Sequence, residues 1–180
     1  SSPADTSVRT FKVPAWPLRL ASCAAPLDTA SRAREIGDML TTIIRVGDAR
    51  ALLDNAGVFA RLAGFDPRWV GSIPLDIHGP EADADICCSA GEDLERFAAH
   101  LRDSFGGQQG FQVKPNTHAG EASVIAYFSL EGLPIEVYGR QRPVETHESY
   151  IHWLAEHRLL GLAEDQLRED VRTAKAGGLK

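Results

Sequence analysis

Lysine is scarce in this 180-residue chain. There are four of them and no long basic run, and 25 acidic side chains outnumber 19 basic ones, for a formal charge of −6. Non-specific binding to nucleic acid draws on many phosphate contacts from Lys and Arg. No extended nucleic-acid surface is therefore expected, although a small local cationic pocket is allowed. Cysteine is equally sparse: Cys23 stands alone, Cys87 and Cys88 are adjacent, and no CxxC pair occurs. That pattern offers no disulfide framework and fits a reducing compartment, so a cytoplasmic location is expected. No apolar run approaches the roughly 18 residues a membrane span needs, so no membrane partner is expected. The opening "SSPADTSVRTFKVPAWPLRLASCAAPLD" carries arginines and prolines where a signal peptide needs an apolar core.

What remains is the composition of a globular domain, 43% hydrophobic and 24% charged, at a length suited to one domain. No internal repeat is present. Residues 1–28, rich in Ser, Ala and Pro without periodicity, read as an N-terminal tail or arm, and residues 29–180 as a single domain. A helical pattern runs from about Thr29 to Ile44. A second helix is predicted with Asp48 as its N-cap, an apolar face of Ala51, Leu52, Val58 and Leu62, and a stop at Gly64. "RWVGS" and "ADICC" read as short strands, and "GEDLERFAAHLRDSFGG" as a helix with a Leu94, Phe97, Ala98, Leu101 stripe. "GFQVK", "SVIAYFSL" and "LPIEVYG" read as three more strands, the last two joined by the tight turn "EG". Two helices close the chain, from about His147 to Leu160 and from Glu164 to Ala176. Helices, mixed strands and helices again make an α/β (α+β) domain with one modest sheet.

The chemistry concentrates in "VGSIPLDIHGPEADADI", residues Val70 to Ile86. Residues two apart in a strand face the same side, so Asp83 and Asp85 present two carboxylates together. Such like charges raise each other's pKa unless a cation lies between them, and oxygen-rich pairs suit Mg²⁺ or Mn²⁺. Alone, the pair also reads as an acidic, solvated strand face. Gly71 lets backbone N–H groups approach an anion closely, and Ser72 adds a hydroxyl. Ten residues separate Ser72 from Asp83. Glu136 stands in the strand "LPIEVYG" among Leu133, Ile135 and Val137, an acid on the opposite face of an otherwise apolar strand.

A hydrophobic residue, Gly-Ser, about ten residues, Asp-x-Asp and a later acid on another strand resemble the signature of the polymerase-beta-type nucleotidyltransferase superfamily. More closely, "GSIPLDI", "DADI", "LPIEVYGRQRPV" and "YIHWLAEHRLL" resemble a small, largely uncharacterised bacterial family assigned to it, over about Ile44 to the C-terminus. The resemblance implies a short mixed sheet flanked by helices. Gly71 and Ser72 would hold the phosphates of a nucleoside triphosphate. Asp83, Asp85 and Glu136 would be the catalytic acids and the ligands of Mg²⁺ or Mn²⁺, with Glu136 also helping to activate an acceptor hydroxyl. A nucleoside monophosphate would be transferred to that hydroxyl and pyrophosphate would leave. Nucleotide, acceptor and oligomeric state stay open.

The sequence departs from the pattern at three points. Ala82 precedes the first Asp where Ser is commoner, Pro74 and Pro80 oppose a regular helix after the Gly-Ser turn, and the third acid is Glu. The alternative reading is a catalytically inactive binding or regulatory module on the same fold. Arg140 and Arg142, at the end of the Glu136 strand, are candidates to meet phosphates or an acidic acceptor; Arg140 is assigned to the nucleotide. His147, His152, Glu156 and His157 invite a zinc reading, but their spacing is neither HExxH nor HxxEH. A helix packing Tyr150 and Trp153 is the favoured reading there. Cys87, two residues beyond Asp85, is expected to line the pocket without acting as a nucleophile.

Overall fold

The computed structural model describes residues 44–118, 120–163 and 165–178. The tail expected over residues 1–28, and all but the last residue of the helix expected from Thr29, lie outside them.

The helix predicted to begin at Asp48 begins earlier and is broken. Helix α1 spans Val46–Asn55, with Arg45 at the N-cap and Asp48 inside the first turn, where a carboxylate complements the positive helix end. Gly57 then adopts φ 65°, a left-handed conformation that α-helix cannot pass through. The chain restarts as α2, Val58–Leu62. The break rotates the inward face, so the buried set is Ala49, Leu53, Val58 and Leu62; Ala51 is exposed.

Five strands form one mixed sheet: β1 (Arg68–Val70), β2 (Ala84–Ser89), β3 (Gln109–His118), β4 (Glu121–Leu130) and β5 (Leu133–Arg140). Their order is β1-β2-β5-β4-β3. β2 and β5 run parallel, and every other pair is antiparallel. Helix α3 (Leu94–Phe105) links β2 to β3, with the Asp93 carboxylate accepting from the Arg96 N–H at its cap. Helices α4 (Glu148–Leu162) and α5 (Asp165–Ala176) follow β5.

The two faces of the sheet are used differently. On one, Ala84, Ile86 and Cys88 of β2, Ile135 and Val137 of β5 and Ala126 and Phe128 of β4 join Phe97, Leu101 and Phe105 of α3 in the main core. Phe105 stacks on Phe128 with centroids 4.8 Å apart. Gly139 lies beneath the Phe97 ring, where a Cβ would overlap Cε1 and stand 2.7 Å from Cδ1. Gly139→Ala is therefore expected to cost about 1–3 kcal/mol through overpacking, lowering Tm by roughly 2–4 °C per kcal/mol. An unchanged melting temperature in scanning calorimetry would contradict this packing.

The other face is only partly covered. Helix α4 lays Tyr150 and Trp153 against Val70, Cys87 and Val144, the packing expected of that helix. The segment from Ser72 to Asp83 forms turns rather than a helix, as Pro74 and Pro80 predict. Leu75 and Ile77 of this loop pack with Leu160 and Val171, which fastens the loop to α4 and α5. The result is an α/β domain with a short mixed sheet flanked by helices, as expected.

Candidate active site

The strand register assembles the site. Val70 pairs with Asp85 across β1 and β2, Asp85 with Glu136 across β2 and β5, and Glu136 with Tyr127 across β5 and β4. These four residues form one row over four strands, on the face away from the main core. Asp83 stands one residue before β2 begins, not within it. Even so, one carboxylate oxygen from each of Asp83, Asp85 and Glu136 lies within 4.8 Å of the others.

Gly71 ends β1 against this cluster with φ 80°. A Cβ there would overlap Asp85 Oδ2 and come 3.0 Å from its Cγ. Glycine thus meets two demands at once, the positive φ and the close approach of backbone to carboxylate. Ser72 follows, partly buried, its carbonyl accepting from the Ile77 N–H at 3.2 Å.

The electrostatics of the cluster favour a cation. Burial pushes the Asp85 carboxyl up to about 8, helped by the charges of Asp83 and Glu136 and opposed by Lys175. Burial also pushes Glu136 up to about 7, helped by Asp83 and opposed by the neighbouring Tyr127 hydroxyl and the charge of Lys114. Acids that hold protons near neutrality are acids short of positive charge. Three convergent carboxylates are a hard-oxygen donor set that fits Mg²⁺ or Mn²⁺.

A cavity of about 440 Å³ opens from Gly71, Asp85 and Glu136 along the strands and under α4, with Tyr138, His152 and Trp153 in its lining. Arg140 lies at its far end, four residues along β5 from Glu136 or about 13 Å. The Arg140 side chain is ion-paired: Nη1 donates to Glu148 at 2.6 Å and to Glu121 at 3.2 Å, and Nε donates to the Tyr138 hydroxyl. Arg142 donates to both Glu148 oxygens at 2.7 Å. The arginine assigned to the nucleotide from sequence thus lines the same cavity as the acids but sits within a charge network, remote from Gly71 and Ser72.

Cys87 lines the cavity, its Sγ 3.0 Å from Ser149 Oγ, and burial pushes its thiol up to about 11. It is a wall, not a nucleophile. The histidine motif divides: His152 and Glu156 line the cavity from α4, and the other two members do not. His147 is buried at the start of α4 beside the Arg142 carbonyl, and His157 stacks on Trp153. Among the described residues, Asp83, Asp85 and Glu136 are the one group of three or more His, Cys, Asp or Glu side chains able to share a metal.

Sequence reasoning did not single out Tyr127, Ser149 or Asn116, although all three stand on or beside the site. Tyr127 was within reach. The tight Glu131-Gly132 turn pairs Leu130 with Leu133, and counting back along the hairpin sets Tyr127 opposite Glu136. Ser149 and Asn116 carry no comparable local signal.

Among solved structures, the fold is similar to a cytoplasmic RNA terminal U-transferase, with TM-score 0.53 and 14% identity over 81% of this chain and 42% of that one. It is similar to Cid1, described for its RNA terminal uridylyl transferase activity, with TM-score 0.53 and 12% identity over 81% and 45% of the two chains. It is also similar to the Cid1 poly(U) polymerase with MgGTP bound, with TM-score 0.51 and 14% identity over 81% and 46%. The chain spans less than half the length of each. These likenesses show the fold, that of the polymerase-beta-type nucleotidyltransferases. No curated protein matches the chain in sequence. The family model of a domain of unknown function, DUF4269, matches residues 51–180, most of the chain, and the protein belongs to that family.

Proposed function

We propose that the protein is a metal-dependent nucleotidyltransferase that moves a nucleoside monophosphate from a nucleoside triphosphate to a hydroxyl acceptor. The observation that carries this reading is the convergence of Asp83, Asp85 and Glu136 within 4.8 Å, beside a glycine turn pressed against Asp85. Asp83, Asp85 and Glu136 would hold Mg²⁺ or Mn²⁺, which supplies positive charge to the reacting phosphate and its attacking and leaving oxygens. A magnesium nucleotide bound to Cid1, a structure of similar fold, supports the choice of ligand.

The residues of the chain then divide the work. The backbone N–H groups around Gly71 and the Ser72 hydroxyl donate to the phosphate oxygens, fixing the chain of phosphates against the sheet. The acceptor oxygen attacks the α-phosphorus, the bond from that phosphorus to the bridging oxygen of the β-phosphate breaks, and pyrophosphate leaves. Glu136, ionised once the metal is held, would also help to activate the acceptor hydroxyl beside it. The cavity under α4 gives room for the nucleoside or acceptor next to the acids. The buried free thiols Cys87 and Cys88 support a reducing compartment such as the cytoplasm.

The test is calorimetric titration of ATP, GTP, CTP and UTP, with and without Mg²⁺, into wild type and Asp83→Ala. The expected result is binding that needs Mg²⁺ and weakens at least tenfold in the variant. Binding of none of the four would return the chain to the inactive-module reading, as would affinities that ignore both metal and substitution.

A further inference from the structure

The row of acids divides the open face of the sheet into two sides. β1 runs antiparallel to β2 and Val70 pairs with Asp85, so Gly71 and Ser72 continue on the side of Ala84 and Asp83. Cys87, Tyr138 and Arg140 follow on the other side, along β2 and β5, and the cavity under α4 runs that way. In-line displacement places the attacking and leaving oxygens on opposite sides of the phosphorus. With the phosphates held at the Gly71-Ser72 turn, the attacking hydroxyl comes from the cavity.

The cavity suits a small molecule. Its volume of about 440 Å³ is that of a small-molecule site. Its end away from the acids is bridged by Arg140, which joins Glu121 of β4 to Glu148 of α4. Four carboxylates line it, those of Asp85, Glu136, Glu148 and Glu156, beside the single guanidinium of Arg140. In the proposed reaction the metal offsets the first two, while Arg140 and Arg142 hold Glu148. Glu156 remains, with no ion pair among the described residues. That excess of negative charge opposes a nucleic-acid end, which carries a phosphate at each nucleotide, and attracts an ammonium.

The bridged end also offers hydrogen bonds. Ser123 is 1% exposed and stands between Arg140 and Asn116 on the cavity side of the sheet. Its hydroxyl has no hydrogen-bond partner among the described residues. Asn116 and Tyr138 line the cavity with it on the sheet side, and Ser149 on the helix side. Hydroxyl and amide groups of this kind match a ligand that carries hydroxyls of its own.

We propose that the acceptor is a small hydroxylated amine that occupies the cavity under α4, with Glu156 as the acid that selects its ammonium. This rests on the nucleotidyltransferase reading and names its acceptor class. One hydroxyl oxygen of the amine bonds to the α-phosphorus and gives up its proton to water. The bond from that phosphorus to the bridging oxygen breaks, and pyrophosphate carries that oxygen away.

The test is calorimetry on the full chain in saturating Mg²⁺ with glucosamine, glucose and glucuronate, which share a ring and differ in charge, and with a short oligoadenylate. Glucosamine is expected to bind at least tenfold tighter than glucuronate or oligoadenylate, with glucose between. Pyrophosphate release from a nucleoside triphosphate should follow the same order. Ile125 lines the cavity from β4 beside Tyr138, and Ile125→Trp fills it. That variant should lose glucosamine at least tenfold and keep its affinity for magnesium nucleotide within about threefold. Glu156→Gln, exposed on α4 and so gentler on the fold, should weaken glucosamine roughly three- to fivefold and leave glucose unchanged.

Glucuronate or oligoadenylate that binds as tightly as glucosamine overturns the proposal, and so does failure of all four probes to bind. Glucosamine affinity that ignores both substitutions overturns it too. Loss of nucleotide together with glucosamine in Ile125→Trp would put the nucleoside in the cavity, with the same consequence. Each of these outcomes leaves the nucleotidyltransferase reading standing where wild type binds magnesium nucleotide. Wild type that binds none of ATP, GTP, CTP and UTP overturns that reading, and the acceptor assignment with it.

Discussion

Asp85→Asn is expected to make the metal-free protein more stable at pH 8 while weakening the proposed metal binding. In the native fold the Asp85 carboxyl is pushed from an ordinary 3.8 up to about 8, chiefly by burial and then by Asp83 and Glu136. Below about pH 4 the acid is protonated whether the chain is folded or not, and it costs nothing. Between about 4 and 8 the folded chain keeps a proton that the unfolded chain releases, so raising the pH favours unfolding. Above about 8 the full cost of a charged, crowded carboxylate is present. Asparagine cannot ionise, so the gain in Asp85→Asn should appear on going from pH 4 to pH 8. We expect on the order of 1–3 kcal/mol, or a few degrees in Tm.

Divalent metal should reverse the comparison. Binding requires the acids to shed protons, so Mg²⁺ should raise the wild-type Tm more at pH 8 than at pH 5 and leave Asp85→Asn nearly unmoved. The proposed transfer activity should fall in the variant by roughly 10²–10³-fold or more, the scale seen when one preorganised electrostatic contact to a transition state is deleted. Thermal melts of both proteins at pH 4, 5 and 8, with and without Mg²⁺, check the whole pattern. Identical pH slopes, or equal stabilisation of both by the metal, would rule out Asp85 as the strained ligand at the centre of the cluster.

Gly71→Ala should damage the same site from the backbone side. A Cβ at φ 80° overlaps Asp85 Oδ2, so either the turn or the carboxylate must move. The left-handed strain alone costs about 1–3 kcal/mol, and displacement of Asp85 separates the three acids. Stability and metal affinity are therefore expected to fall together, unlike Asp85→Asn, where metal-free stability rises. Calorimetric Mn²⁺ titration beside a thermal melt distinguishes the two. Gly71→Ala that melts and binds Mn²⁺ as wild type does would show that the close approach of turn and acid is dispensable.

The contrast between these two substitutions also marks what was legible beforehand. Gly71 and Asp85 were both readable as candidate site residues, since Gly-Ser and Asp-x-Asp are local patterns with local chemistry. Their mutual contact was not, because ten residues separate Ser72 from Asp83 and the intervening loop has no periodicity to fix its path. The broken helix at Gly57 escaped notice for a related reason. An isolated glycine in an apolar-periodic stretch is compatible with continuing or ending a helix, and the burial of Leu53 and Val58 on either side of the break decides the matter. Arg140 shows the limit in another form. Its position at a strand end was clear, but its partners Glu121 and Glu148 come from β4 and α4, and no spacing rule links them.

By itself the sequence determined the alternation of helices and strands from β1 onward, the hairpin register that sets Tyr127 across from Glu136, and the three acids and glycine turn that define the candidate chemistry. Those features rest on interactions within a few residues, where side-chain period and backbone sterics act directly. Tertiary structure alone decided that β2 and β5 run side by side and parallel, which brings Asp85 level with Glu136. It likewise set the charge network around Arg140 and laid α4 over the cavity beside the acids. Each of these depends on burying apolar surface between segments distant in the chain, and that driving force has no direction until the whole domain has packed.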